Sequence, residues 1–104
     1  MPDSNEENTR PLFPLGRVVI TTNLQAKLRE TNPERWEAEL IGLISRHTSG
    51  DWGDLDEDDK RQNDLALVRG FRIFSAYETV SDVKIWIISE ADRSVTTVLL
   101  PEDY

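Results

Sequence analysis

Five side chains in this sequence have the chemistry to act on a phosphate ester: His47, Arg72, Tyr77, Glu90 and Arg93. His47 is the single histidine, and histidine alone has an ordinary pKa near neutrality. In a metal-independent ribonuclease or a related toxin, Glu90 or His47 would be the general base and the other the general acid. Arg72 and Arg93 would then stabilise the phosphorane charge. Each residue also has a reading that asks less of the chain. A lone histidine on an apolar helical stripe is more often a hydrogen-bonded residue at the core edge. A charge beside a core strand needs a partner, which Arg72 or Arg93 would find in Glu90 or in an acid of the Asp51–Asp54 loop. Thr96 and Thr97 read as ordinary strand residues without a special role.

The second constellation is acidic. Between Asp51 and Asp64 lie seven acids (Asp51, Asp54, Asp56, Glu57, Asp58, Asp59 and Asp64) against two bases. The spacing is wrong for an EF-hand, because loops begun at Asp51 or Asp54 lack the glycine at position six and the glutamate at position twelve. Acids at a helix start complement its dipole, so Asp54 or Asp56 as cap with Glu57, Asp58 and Asp59 in the first turn is a sufficient structural reason. The run also offers a contact surface. An exposed Trp52 beside charge would anchor a protein partner, giving a partner-binding set of Asp51, Trp52, Asp54, Asp56, Glu57, Asp58 and Asp59.

The elements that must position these residues follow from patterning. The stretch from Val83 to Leu100 has two β-branched runs around a polar break, the pattern of a buried antiparallel hairpin. With Asp92 and Arg93 as the turn, one face carries Ile85, Ile87, Ser89, Thr96, Val98 and Leu100. The other carries Trp86, Ile88, Glu90, Val95, Thr97 and Leu99, so both faces are mostly apolar and both call for cover. Phe71–Tyr77 reads as the strand before it, joined through a turn at Thr79–Asp82. Upstream, Arg17–Thr22 is a short strand, and Thr22 or Asn23 caps a short helix through Leu28. Thr31 with Glu34 suggests a capping box opening a second helix, whose stripe Trp36, Leu40, Leu43, Ile44 and His47 faces the sheet until Ser49-Gly50. A third helix starts in the acidic run and stops at Gly70. The expected fold is α+β: an N-terminal strand, two to three helices, then a three-stranded antiparallel β-meander packed on the helices.

At 104 residues with 38% hydrophobic content, residues 11–104 make one domain, preceded by a disordered acidic tail at residues 1–10. No cysteine is present, which removes disulfides, thiolate catalysis and cysteine-based metal sites; a single histidine removes a multi-histidine site, and no cofactor is expected. Nothing resembles a signal peptide or a membrane span, so the expected location is cytoplasmic. The net charge of −8 disfavours binding to nucleic-acid backbone and suits solubility or a basic protein partner. Two apolar sheet faces in so short a chain also predict a homodimer.

From Gly16 to Tyr104 the chain resembles a family of short bacterial proteins carried on plasmids and integrated mobile elements. The residues that carry the likeness begin with Leu15-Gly16-Arg17-Val18-Val19, then Arg46-His47 and Gly50-Asp51-Trp52-Gly53-Asp54-Leu55. Asn63, Ala66-Leu67, Gly70, Arg72 and Ser75-Ala76-Tyr77 continue it, and the run from Ile85 to Tyr104 is its most specific part. At Ser89 the family is expected to carry Thr, and the acidic N-terminal tail is a departure. The resemblance brings no established activity, and no stretch resembles a methyltransferase motif or its cofactor loop. Taken with the acidic balance and the absence of a strong catalytic signature, it suggests a non-enzymatic accessory protein of mobile DNA that acts by binding another protein, a component of host defence being one candidate. The metal-independent ribonuclease or toxin is the alternative.

Overall fold

The fold was obtained as a computed structural model and is described for residues 10–104; the expected acidic tail lies outside them except for Arg10. In chain order the elements are β1 (Arg17–Ile20), α1 (Thr22–Thr31), α2 (Trp36–Thr48), α3 (Glu57–Arg69), β2 (Ile73–Glu78), β3 (Lys84–Ser89) and β4 (Val95–Leu99), closed by a 3₁₀ turn at Pro101–Asp103. The class is α+β, as the patterning implied. The sheet differs from a free-standing three-stranded meander: it is four-stranded and mixed, in the order β1-β4-β3-β2. β2, β3 and β4 are antiparallel neighbours, and β1 lies parallel to β4 with Arg17 beside Val95 and Ile20 beside Val98. Among the described residues no helix is long and apolar enough to cross a membrane.

Hairpin register sets the two faces. Ser89 pairs with Thr96 and Ile87 with Val98, so the face division expected from the sequence holds. The tight turn sits one residue earlier than expected. Arg93 N–H donates to Glu90 O at 2.9 Å, which places Ala91 and Asp92 at its centre, and Arg93 follows with φ of 61°. The helices cover one face only. Leu24, Leu28, Trp36, Leu40 and Leu43 pack there on Ile85, Ile87, Val98 and Leu100, while Phe13, Trp52, Ala66 and Ile73 form a second cluster. At about 25 cal/mol per Å² of apolar surface, each fully buried Leu or Ile contributes roughly 1.5 to 3 kcal/mol.

Two helix starts correct the sequence reading. α1 is capped by Thr21, whose hydroxyl accepts from Leu24 N–H at 3.3 Å, rather than by Thr22 or Asn23. The capping box of Thr31 and Glu34 does not form. The Thr31 hydroxyl donates to Lys27 O at 2.9 Å, so Thr31 closes α1, and α2 begins at Trp36 with no side-chain cap. The other ends follow expectation: α2 stops before Ser49 and Gly50, and α3 runs from an Asp56 cap to Gly70 in the left-handed conformation.

Candidate functional site

His47 sits on the sheet-facing stripe of α2 with none of its surface accessible. Its Nδ1 lies 2.6 Å from Ser75 Oγ on β2, and its Nε2 lies 3.0 Å from Ser89 Oγ on β3. Ser89 Oγ is 2.6 Å from Thr96 Oγ1 on β4, and Thr96 Oγ1 donates to Leu15 O at 2.7 Å. The carbonyl at the end fixes the direction of the whole chain. Leu15 O can only accept, so Thr96 spends its proton there and must accept from Ser89; Ser89 in turn accepts from His47 Nε2–H. Neutral imidazole then has Nδ1 as an acceptor for Ser75 O–H. The network thus assigns the Nε2–H tautomer, with protons pointing from Ser75 through His47, Ser89 and Thr96 to the Leu15 carbonyl.

This polar row crosses the sheet between the two apolar clusters. On β2, Ser75 lies between Ile73 of one cluster and Tyr77 of the other. Phe13 and Trp52 meet the imidazole edge-on, at centroid distances of 5.3 and 6.1 Å. Burial, assisted by the Arg93 charge, lowers the His47 pKa to about 4, so the ring is neutral at physiological pH. An exposed catalytic cleft is therefore absent at His47. Its cover is Phe13 and Trp52, instead of the Trp86 or Ile88 contacts a core position might suggest.

The other residues of the ribonuclease reading do not converge on it. Arg93 spends its guanidinium on backbone carbonyls: Nη1 donates to Phe71 O at 2.7 Å and Glu90 O at 2.9 Å, and Nη2 to Ala66 O at 3.1 Å. It thereby ties the β3–β4 turn to the end of α3, where the Ala66 carbonyl also accepts from Gly70 N–H at 2.9 Å. The Tyr77 hydroxyl donates to Asp51 O at 2.6 Å, and burial pushes its pKa up to about 12. Glu90 is exposed at the turn. Arg72 reaches the opposite sheet face, where its Nη2 donates to Tyr104 Oη at 3.0 Å. No ion pair forms between Arg72 or Arg93 and Glu90. The acid of the Asp51 loop is held by Arg46 at 2.7 Å, and that hydrogen bond lowers the Asp51 pKa.

Trp52 is also corrected. It is 4% exposed, and its indole N–H donates to Asp64 Oδ1 at 3.0 Å, so it is a core residue and no anchor for a partner. Asp51, Asp54, Asp56, Glu57, Asp58 and Asp59 remain exposed; the Asp56 carboxylate caps α3 by accepting from Asp59 N–H at 2.8 Å. Sequence reasoning missed Ser75, Ser89 and the role of Thr96. The signal was present for two of them, since Ser89 and Thr96 fall on the core face of the hairpin, where a hydroxyl needs a partner.

The sheet face away from the helices has a different character. Phe74 and Trp86 meet edge-on at 5.1 Å, and Tyr104 lies against Trp86 at 5.8 Å. With Arg72 and Ile88 they line a pocket of about 210 Å³. A second hollow, of about 320 Å³, runs from Trp86 past Lys84 to Asp54, so the acidic loop and the aromatic face form one surface. Among the described residues no group of three or more His, Asp and Glu side chains could hold a metal ion. No family model, no curated protein and no solved structure matches this chain.

Proposed function

We propose that this is a non-catalytic binding protein: a cytoplasmic accessory of mobile DNA that acts by holding another protein, with a component of host defence as the target. The sealed histidine carries the non-catalytic part of this reading. A general base must come within about 3 Å of the proton it takes, directly or through one water. His47 has no accessible surface, and both of its nitrogens are engaged by Ser75 and Ser89. The resemblance to proteins of plasmids and integrated elements supports the biological setting. The contact surface is the aromatic sheet face around Trp86 and Phe74, bordered by Asp54, together with the exposed acids Glu57, Asp58 and Asp59 that open α3. Aromatic anchors with a charged rim suit a protein bearing a basic patch, and the same acids repel nucleic-acid backbone.

Affinity capture from bacterial lysate, with the tag at either end of the chain, tests the binding. Wild-type protein should retain a specific partner that is lost with Trp86→Ala or with Asp58→Lys and Asp59→Lys together. Recovery of no specific partner in either orientation would count against the reading. Incubation with mixed RNA in chelator tests the non-catalytic part: wild type, His47→Ala and Glu90→Ala should leave equal background. Cleavage that falls roughly 10²-fold with either substitution would establish the ribonuclease instead.

A further inference from the structure

The two edges of the sheet are finished differently. On β2, the outward groups of Phe74 are taken by Asn63, which donates from Nδ2 to Phe74 O at 2.6 Å and accepts from Phe74 N–H at 3.1 Å. Two residues on, Ala76 O accepts from Asp54 N–H at 2.7 Å and Ala76 N–H donates to Trp52 O at 3.3 Å. That edge cannot take another strand. On β1, Arg17 N–H donates to Ser94 O and Thr21 N–H to Val98 O, so odd-numbered residues face β4. The N–H and C=O groups of Val18 and Ile20 therefore point outward, and no described residue bonds to them. An unpaired edge of β-branched residues is a template for another strand. Beside it, on the helix side, Ile20, Trp36, Leu40, Ile41 and Ile44, with Gln25 and Glu37, line a mostly apolar groove of about 250 Å³. Val18 and Ile41 are 41% and 67% exposed there.

We propose that β1 is a dimer interface, in which two copies of this chain pair β1 with β1 antiparallel about a twofold axis centred on Val19. The edge is self-complementary in that register. Val18 of one copy exchanges both of its outward bonds with Ile20 of the other, and Ile20 with Val18, so every outward group finds an opposite partial charge. Val18 also sets its side chain beside Ile20 of the partner subunit, over the mouth of the apolar groove. Arg17 falls opposite Thr21, so no like charges meet. The two four-stranded sheets become one continuous sheet. This inference does not depend on what the aromatic face binds.

The chain has no cysteine, so one introduced thiol reads the register directly. Val19 would form a non-hydrogen-bonded pair with its own copy at a Cα separation of about 4.5 Å, within disulfide range. Val18 would lie diagonally from its copy, about 7 to 8 Å away and at the limit of bridging. Under mild oxidation Val19→Cys should become a covalent dimer at least tenfold faster than Val18→Cys. Equal rates, or no cross-linking by either, would overturn the proposal. Because β1 has only four residues, association should be concentration-dependent, and sedimentation equilibrium should show the mass rising above the 11.9 kDa of the single chain. Val18→Pro removes an outward N–H without touching a bond to β4, and should raise the dimer dissociation constant at least tenfold. A wild-type mass of 11.9 kDa at every concentration refutes the dimer, and the cysteine pair decides the matter should Val18→Pro fail to fold.

Discussion

His47 can gain a proton only by reversing the hydrogen bond from Ser75 and placing a charge among Phe13, Trp52 and the apolar clusters. Its folded pKa of about 4 lies below the 6.5 of a free histidine, so between those values the unfolded chain binds a proton that the folded chain refuses. Stability from this residue is complete above pH 6.5, falls as the pH drops toward 4, and is then constant, a loss of about 3 kcal/mol. Carboxylates titrate in the lower part of the same window, so the expected result is a difference. Denaturant unfolding from pH 7 to pH 4 should lose about 3 kcal/mol more in wild type than in His47→Gln, and an equal slope in both would refute a buried neutral ring. Nitrogen chemical shifts at pH 7 should show the proton on Nε2; a proton on Nδ1 would overturn the direction assigned to the relay. The sequence placed His47 on a sheet-facing stripe and two hydroxyls on the core face of the hairpin. It could not join them, because contact between α2 and three strands depends on tertiary placement that neither periodicity contains. Ser75 was the least visible, since a small serine in a strand of mixed residues disturbs no pattern.

Among the elements, α3 is held to the sheet by polar groups as well as by the packing of Ala66 and Leu67. Asn63 imitates one strand partner for Phe74, and Arg93 gathers carbonyls from the α3 end and both adjoining turns. Asn63→Ala leaves an N–H and a C=O of β2 without their partners and should cost about 2 kcal/mol in chemical denaturation. Asn63→Asp should also be destabilising, because the carboxylate cannot donate to Phe74 O. Stability unchanged in both variants would show that α3 is held by Ala66 and Leu67 packing alone. Arg93→Lys should lose most of what Arg93→Ala loses, since an ammonium cannot span carbonyls that a planar guanidinium reaches together. The close approach at Gly53 belongs to the same joint: its φ is 78°, and a Cβ there would lie 2.0 Å from Ala76 O. Strand and helix interiors were legible from hydrophobic period, and α3 also showed its Gly70 stop and a cap at Asp54 or Asp56, of which Asp56 is the one used. The α1–α2 junction was not. Thr31 and Glu34 have the residue types of a capping box, but Thr31 still has an α1 carbonyl within reach, and Pro33 lies in the turn that separates the two helices. A local signal was satisfied by the preceding helix before the following one could use it.

At the scale of the molecule, the sheet order rests on a pairing between the first strand and the last, and nothing local in Arg17–Ile20 names β4 as its neighbour. The 3₁₀ turn after β4 is fastened back to the same region. Thr21 Oγ1 and Asn23 Nδ2 donate to the Asp103 carboxylate at 2.7 and 2.8 Å, and these bonds lower the Asp103 pKa. The next residue, Tyr104, then lies over Trp86 and meets Arg72. The fastening should therefore set how much of the aromatic face is open. Its sign with pH follows from the lowered pKa: the carboxylate holds the turn at neutral pH and releases it as the pH falls through its folded value. In Asp103→Ala, the Trp86 indole signal in a nitrogen–proton NMR spectrum should move. The Trp52 signal, fixed by Asp64 on the far side of the sheet, should stay. Movement of both signals would mean that the turn supports the whole core. A stationary Trp86 would mean that Arg72 alone keeps Tyr104 in place, and Arg72→Ala should then reproduce the shift expected of Asp103→Ala.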